Sequence, residues 1–315
     1  MNVGVHIGSF AWCSWGDGHI DPDDQTKLKR LRAAGVRSAK YLLHTPGQAK
    51  QTQFRDIEKL RQDWQYDEVV LRLMHDQRYL PSPQYTLDWY RERIQRAFDV
   101  GLRVILQPVN EPDLELDMAP AEVTQWFAEF AAIARQAFPA AKLVSPPIAG
   151  VEHAGSWAWW DGTRGCYDVA DYGGIHIYTA GRLDGAYSLP WWLGQMPGDK
   201  PLLVLECGSP NGTDVGTRAA ALPGLYSQLA REGRVQGFYP FMLSGEDYRH
   251  AEHFLTEQNI ITLCQLAQGL QPAIPTPPPV VPPAVPPSTP PSVPLEPSIP
   301  VGGTMRFEVT VRRIE

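Results

Sequence analysis

The sequence predicts a single α/β barrel of eight parallel strands, the (β/α)8 or TIM-barrel fold, over residues 1–270. Short apolar runs alternate with amphipathic helical stretches throughout this region. The apolar runs number eight, and several are almost continuously apolar, as strands buried on both faces should be. Eight β-then-α units in about 270 residues match the size and order of such a barrel.

The predicted strands are Val3–Phe10, Ser38–His44, Val69–His75, Val104–Val109, Lys142–Ile148, Gly174–Tyr178, Leu202–Cys207 and Val235–Met242. Residues 23–35, 86–101 and 121–138 carry helical patterns. The first two patterns end in Gly35 and Gly101, which are typical stop signals, and the third follows Pro120, which suits a first turn. An open doubly wound sheet is the alternative, but no glycine-rich phosphate-binding loop follows any early strand.

The composition changes sharply after residue 270. Between Pro272 and Pro300 lie 14 of the 30 prolines, so residues 271–300 are predicted to form an extended proline-rich linker. In residues 301–315, apolar and polar side chains alternate as in a strand. One strand cannot fold alone, so this segment is predicted to begin a further domain or to pair with a partner chain.

Charge and composition exclude several classes of protein. The net charge is −7 and no basic stripe occurs, which argues against nucleic acid as a partner. The sequence contains no run of 18 apolar residues, so no membrane span is predicted. The four cysteines have no metal-ligand spacing, so no metal site is expected from them, although one disulfide bridge between them is left as an alternative. No cofactor is expected. No signal peptide is recognisable, which makes a cytoplasmic location the default and leaves an extracellular or particle-associated one open.

Polar side chains stand near the C-terminal ends of the predicted strands, where a barrel carries its active site. Buried glutamate is rare unless it is paired or functional. Two glutamates that end separate strands therefore suggest a pair of carboxylates that face each other across the mouth of the barrel. The candidates are Lys40 on strand 2, Arg72 on strand 3, Asn110 and Glu111 after strand 4, His176 and Tyr178 on strand 6, and Glu206 on strand 7.

The chemistry that needs such a pair is glycoside hydrolysis. One carboxylic acid protonates the leaving oxygen, while the other carboxylate attacks the sugar or activates water. The pKa values of the two groups must therefore be split. Arg72, Lys40 or the Tyr178 hydroxyl near Glu206 would keep that carboxylate charged.

Three short motifs carry a family resemblance: NEP at Asn110–Pro112, HIY at His176–Tyr178 and ECG at Glu206–Gly208. With them the chain resembles the clan of retaining (β/α)8 glycoside hydrolases that includes cellulase-, mannanase- and xylosidase-type enzymes. The resemblance covers residues 1–270. It implies that Glu111 is the general acid/base and Glu206 the nucleophile. It also implies that Asn110 holds the sugar 2-hydroxyl and that Tyr178 hydrogen-bonds the nucleophile.

Two positions depart from the clan's pattern. Lys40 stands where an arginine commonly supports the nucleophile, and a lysine keeps the charge but loses the bidentate fork. Strand 8 commonly supplies a tryptophan to the central sugar subsite, whereas this strand offers Phe238, Tyr239 and Phe241.

Tryptophans cluster after predicted strands 1, 5 and 6, and aromatic faces suit the flat C–H faces of sugars. Trp12 and Trp160 are predicted to bind substrate. The acidic loop of Asp113, Glu115 and Asp117 is interpreted as a solvated face.

The leading hypothesis is thus a retaining β-glycosidase that acts on a polysaccharide or oligosaccharide. One alternative is an inactive carbohydrate-binding barrel, tethered through the linker to a further binding domain. Another is an aldolase that forms a Schiff base at Lys40 or Lys142.

Overall fold

Eight parallel strands form the centre of the molecule. The computed structural model describes residues 2–7, 22–44, 50–75, 78–149, 156–178, 185, 187–196, 198–208, 215–241 and 255–270. The strands are β1 (Asn2–Ile7), β2 (Ser38–Leu43), β3 (Glu68–Leu73), β4 (Arg103–Gln107), β5 (Lys142–Leu143), β6 (Gly173–Tyr178), β7 (Leu202–Gly208) and β8 (Val235–Pro240).

The strands pair in the order β5-β4-β3-β2-β1-β8-β7-β6, and every pairing is parallel. A single parallel bridge, Val144 to Tyr172, joins the two ends of this sheet. The backbone N–H of Ser145 donates to the carbonyl of Tyr172 at 3.0 Å across the same seam. The sheet therefore closes into the predicted eight-stranded barrel.

Helices follow the strands and cover the outside of the barrel. They are α1 (Pro22–Ala33), α2 (Lys50–Gln62), α3 (Pro83–Asp99), α4 (Pro112–Glu115), α5 (Pro120–Ala137), α6 (Ser156–Gly162), α7 (Arg164–Val169), α8 (Leu189–Gln195), α9 (Val215–Arg231) and α10 (Glu257–Ala267). Gly35 and Gly101 adopt φ of +103° and +85° just beyond α1 and α3, which confirms them as stop positions. None of the described helices is long and apolar enough to cross a membrane.

Several strands end earlier than the sequence predicts. The prediction for β5 reached Ile148, but the strand ends at Leu143, because Pro146 and Pro147 have no N–H to donate to a ladder. Similarly, β4 ends at Gln107, directly before Pro108. The predicted ends of the first and last strands, Phe10 and Met242, lie outside the described residues.

Side chains alternate between two apolar layers. A small cluster fills the barrel interior and consists of Val70, Ile105, Val144, Leu203, Leu205 and Tyr239. A larger cluster lies between the strands and the helices, and β2 contributes Ala39, Tyr41 and Leu43 to it. The alternation leaves Lys40 facing inward, fully buried. The apolar interior thus gives way to polar side chains toward the C-terminal ends of the strands.

An irregularity in β7 turns Glu206 into the mouth. Both Leu205 and Glu206 face inward, since Leu205 belongs to the inner cluster and Glu206 contacts Lys40 of β2. Regular alternation would send one of two adjacent residues outward. The register between β6 and β7 shifts here, where Ile175 pairs with Val204 but His176 pairs with Glu206. This β-bulge turns the Glu206 carboxylate toward the inside of the barrel, where it contacts Lys40.

The chain divides into two units, Met1–Pro277 and Pro278–Glu315. The barrel belongs to the first. The predicted linker and C-terminal strand segment lie outside the described residues.

Candidate active site

The C-terminal ends of the strands bring both predicted carboxylates together. One oxygen of Glu111, one oxygen of Glu206 and a ring nitrogen of His176 all lie within 4.8 Å of one another. Glu111 follows β4, His176 is on β6 and Glu206 is on β7. The predicted geometry, with acidic groups facing one another across the mouth, is therefore present.

Glu111 stands in a strained backbone conformation at the start of α4. Its φ of 33° and ψ of 57° are left-handed, which costs a non-glycine residue about 1–3 kcal/mol. Pro112 fixes the first helical position, and the N–H groups of Leu114 and Glu115 donate to the Glu111 carbonyl at 2.9 and 2.8 Å. Such strain clusters at functional sites, where the surrounding structure imposes it.

The Glu111 carboxyl is arranged to keep a proton. Nδ1 of His176 lies 2.7 Å from its Oε1, in hydrogen-bonding contact. Burial raises the pKa of Glu111 above the ordinary value; the hydrogen bond and charge of His176 oppose this rise, and the negative charges of Glu206 and Glu115 add to it. A carboxyl with a raised pKa suits a general acid.

Glu206 is arranged to stay ionised. Lys40 Nζ donates to its Oε1 at 2.7 Å, the Tyr178 hydroxyl donates to its Oε2 at 2.8 Å, and an Arg72 nitrogen lies 3.5 Å from Oε1. Burial alone would raise the pKa of Glu206, but nearby positive charges, Lys40 foremost, outweigh it and hold that pKa well below the ordinary value. The pKa of Tyr178 is raised well above normal by burial and by Glu206, so the phenol stays a donor.

Lys40 is fully buried, so it supports Glu206 rather than reaching a ligand. Besides Glu206 it donates to the carbonyl of Leu205 at 3.2 Å. Burial lowers the pKa of Lys40 to about 8, and the attraction of Glu206 offsets part of that loss. At neutral pH the ammonium therefore keeps its charge.

Asn110 is 5% exposed and held on both sides. Gln107 Nε2 donates to its Oδ1 at 2.7 Å, and its own Nδ2 donates to Glu115 Oε1 at 2.7 Å. The same Glu115 oxygen accepts from an Arg72 nitrogen at 2.6 Å. Glu115 thus holds both Asn110, the residue before Glu111, and Arg72, which lies 3.5 Å from Glu206.

The interpretation of the acidic loop as a solvated face is wrong for Asp113, which is partly buried, and incomplete for Glu115, which is exposed but has partners across the fold. Glu115 binds Arg72 and Asn110, and Asp113 accepts from the Ala149 N–H at 3.1 Å and from a hydroxyl of α6. Asp117 pairs with Arg78 at the surface. Sequence periodicity could not reveal these contacts, because the partners Arg72, Ala149 and Ser156 lie on other elements, distant in the chain.

His6 of β1 lies fully buried beside the site. Burial and the nearby Lys40 charge hold the pKa of His6 well below the ordinary value, so its ring is neutral. Its ring centroid is 5.0 Å from that of Phe241, which in turn lies 6.3 Å from Tyr178. Phe241 thus supplies an aromatic ring beside the site, after β8.

The structure describes one of the two tryptophans that were predicted to bind substrate. Trp12 lies outside the described residues. Trp160 is 1% exposed and packs edge-to-face on Trp192 at 5.3 Å, so it has no open ring face and its role is packing. Trp157, on the same helix, is 48% exposed and meets Trp191 edge-to-face at 5.7 Å.

Glu111, His176 and Glu206 could also offer ligands to a metal ion, since their ligand atoms cluster within 4.8 Å. Lys40 and Arg72 already place two positive charges on Glu206. A bound cation would have to overcome that repulsion.

No protein-family model matches the sequence, and no curated protein matches it. Solved structures match the fold. The endo-β-1,3-glucanase of glycoside hydrolase family 128, subgroup II, from Sorangium cellulosum is 19% identical, with a TM-score of 0.54 over 84% of this chain and 98% of that chain. The catalytic domain of the family 30 xylanase C from Talaromyces cellulolyticus is 9% identical, with a TM-score of 0.60 over 84% and 75%.

The chain has the fold of (β/α)8 glycoside hydrolases. A third match is a family 128, subgroup I, endo-β-1,3-glucanase from Amycolatopsis mediterranei, solved in complex with laminarihexaose. It is 14% identical, with a TM-score of 0.51 over 84% of this chain and 98% of that chain. At these identities the likeness describes the fold, and the activity has to be argued from the site.

Proposed function

We propose that this chain is a retaining glycoside hydrolase that cleaves β-glycosidic bonds in a polysaccharide or oligosaccharide. The observation that carries the proposal is the pair Glu111 and Glu206: one oxygen of each lies within 4.8 Å of the other, and their pKa values shift in opposite directions. An inverting enzyme needs about 6.5–9.5 Å between its carboxyl groups to admit water, whereas a retaining one needs about 5–5.5 Å. The short separation favours retention.

In the first step, Glu206 attacks the anomeric carbon while Glu111 gives its proton to the glycosidic oxygen. The bond to the leaving group breaks as an ester bond to Glu206 forms. In the second step, the ionised Glu111 takes a proton from water, whose oxygen attacks the same carbon and releases Glu206. Two inversions at one carbon return the original configuration.

An exposed aromatic surface supports a carbohydrate as the substrate. Trp157 presents nearly half of its surface to solvent, at the start of α6. The preceding Ser156 donates to Asp113 at 3.0 Å, which ties this helix to the loop that carries Glu111. An exposed aromatic face on a helix tied to this loop is suited to the apolar face of a sugar ring.

Release of reducing sugar from a panel of β-linked polysaccharides tests the proposal. We expect activity in the wild type and a loss of about 100- to 10 000-fold in Glu111→Gln and in Glu206→Gln. Glu129→Gln, an exposed acid on α5, is the control and should keep full activity. Proton NMR of the first product should show the β anomer, and the α anomer would contradict a retaining mechanism.

The alternatives give different results in the same experiments. An inactive carbohydrate-binding barrel would bind an oligosaccharide in calorimetry but release no sugar, even as wild type. A Schiff-base aldolase would be labelled by borohydride with a carbonyl substrate. Lys142 starts β5, at the opposite end of the barrel, and pairs with Asp171 at 3.2 Å, while Lys40 is fully buried against Glu206.

A further inference from the structure

Glu115 lies four residues after Glu111, at the end of α4, and one of its oxygens serves two donors. Oε1 accepts from Arg72 at 2.6 Å and from Asn110 at 2.7 Å. Its side chain is 41% exposed, whereas Arg72 and Asn110 are 9% and 5% exposed. A charged oxygen bound to two nearly buried donors differs from an ordinary surface ion pair, which contributes little.

We propose that Glu115 is a positioning residue, which holds Arg72 and Asn110 in the orientations that the catalytic pair Glu111 and Glu206 requires. This inference rests on the proposed function. It concerns residues of β3 and of the loop after β4, which Glu115 connects.

On one side, Glu115 sets the orientation of the Asn110 amide. Gln107 donates to Oδ1 of that amide, and Glu115 accepts from its Nδ2. A donor on one side and an acceptor on the other fix which way the amide group points. Nδ2 carries two N–H bonds, and fixing the first fixes the direction of the second. A sugar hydroxyl beside Glu111 would be bound by a donor that is already oriented.

On the other side, Glu115 limits how closely Arg72 approaches the nucleophile. The guanidinium lies between two carboxylates, at 2.6 Å from Glu115 and 3.5 Å from Glu206. Lys40 and Tyr178 already bind the two oxygens of Glu206. If Glu115 were neutral, Arg72 could move onto Glu206 as well, and a more fully paired carboxylate would attack carbon more slowly.

The charge of Glu115 also favours the proton on Glu111. The titratable and charged groups near Glu111 are His176 and Tyr178 of β6, Glu206 of β7, Lys40 of β2, Arg72 of β3 and Glu115 itself. The two carboxylates among them both raise the pKa of Glu111. Loss of the Glu115 charge removes one of these contributions. A purely structural role would not affect the titration of Glu111.

The test compares Glu115→Gln with Asp117→Asn. Both changes neutralise an acid in the same loop, but Asp117 pairs with the exposed Arg78 at the surface. In Glu115→Gln we expect kcat to fall about 10- to 100-fold, KM to change less than about threefold, and the alkaline limb of the kcat/KM profile to move to lower pH. Asp117→Asn should keep the wild-type profile.

A readout without turnover separates this inference from the proposed function. In protein with ¹³C-labelled glutamate, the Glu111 carboxyl, assigned through Glu111→Gln, should titrate at lower pH in Glu115→Gln than in the wild type. An unchanged titration, or a wild-type kcat, would overturn the role of Glu115. A fall in kcat that merely follows a lower melting temperature would also overturn it. A wild type that releases no sugar, with the titration shifted, would instead overturn the proposed function alone.

Discussion

Among the charges that surround Glu206, that of Lys40 does most to lower the pKa of the carboxyl. The ammonium lies 2.7 Å from Oε1 and is fully buried, so little solvent screens the attraction. An arginine in this place could bind both oxygens, but here the Tyr178 hydroxyl occupies the second one. Lys40 can therefore keep the Glu206 carboxylate ionised without the second hydrogen bond that an arginine would make.

Lys40→Met should move the acid limb of the kcat/KM profile to higher pH. Activity requires Glu206 ionised, and removal of the positive charge raises the pKa of that group, so activity at low pH is lost earlier. We expect a shift of about one unit or more, with kcat/KM lowered at least tenfold at the optimum. Lys40→Arg should restore most of the activity at low pH.

Lys142→Met is the matched control, because Lys142 lies at the far end of the barrel and is 57% exposed. Its profile should coincide with that of the wild type. An acid limb that stays in place in Lys40→Met would mean that other groups set the charge of Glu206.

At the scale of elements, a buried pair joins α2 to β2. The Tyr41 hydroxyl donates to Oδ2 of Asp56 at 2.5 Å, and Asp56 is 1% exposed. Burial raises the pKa of Asp56 to about 6, against the opposing effect of the Tyr41 hydrogen bond. The native state thus binds this proton more tightly than the unfolded chain does.

Asp56→Asn should remove a pH dependence of stability. The stability that the proton adds is complete below about pH 4 and is lost as the pH rises through about 6, because the folded pKa lies above the unfolded one. The free energy of unfolding of Asp56→Asn minus that of the wild type should therefore rise by about 2–3 kcal/mol between pH 4 and pH 7. Urea titrations at both pH values measure it.

The exposed Asp63, just after α2, supplies the control. Asp63→Asn should follow the wild type at both pH values. A constant difference between Asp56→Asn and the wild type would show that the pKa of Asp56 is the same in the folded and the unfolded chain, and would contradict the prediction.

At the scale of the whole molecule, the barrel closes through one narrow seam. Gly174 of β6 lies against Ser145, which follows β5, and its N–H donates to the Ser145 hydroxyl at 3.0 Å. A Cβ at Gly174 would lie 2.2 Å from the Ser145 carbonyl oxygen. Because that atom belongs to the backbone, relief would require the seam to open.

Gly174→Ala should therefore destabilise the protein by about 1–3 kcal/mol, measured from the urea midpoint. Gly194→Ala, in α8, is the matched control: a Cβ there meets no atom within 4 Å, and alanine favours a helix by up to about 1 kcal/mol over glycine. Equal midpoints for the two variants would contradict the close packing at the seam.

The sequence alone determined the strand count and the barrel, and it singled out the two acidic residues that the structure brings together at the mouth. This worked because apolar runs and helical periods are local signals, and because Asn110–Pro112 and Glu206–Gly208 are contiguous motifs. Early strand ends such as that of β5 were also readable in principle, since Pro146 and Pro147 exclude a ladder.

Only the tertiary structure decided how the side chains meet. Alternation would have turned Glu206 away from Leu205, and a bulge that arises from pairing with β6 reverses this. The roles of Glu115 and Trp160 depend on which neighbours lie across the fold, one beside Arg72 and the other beneath Trp192. Local sequence encodes the period of an element, whereas a side chain's partner is set by packing between elements distant in the chain.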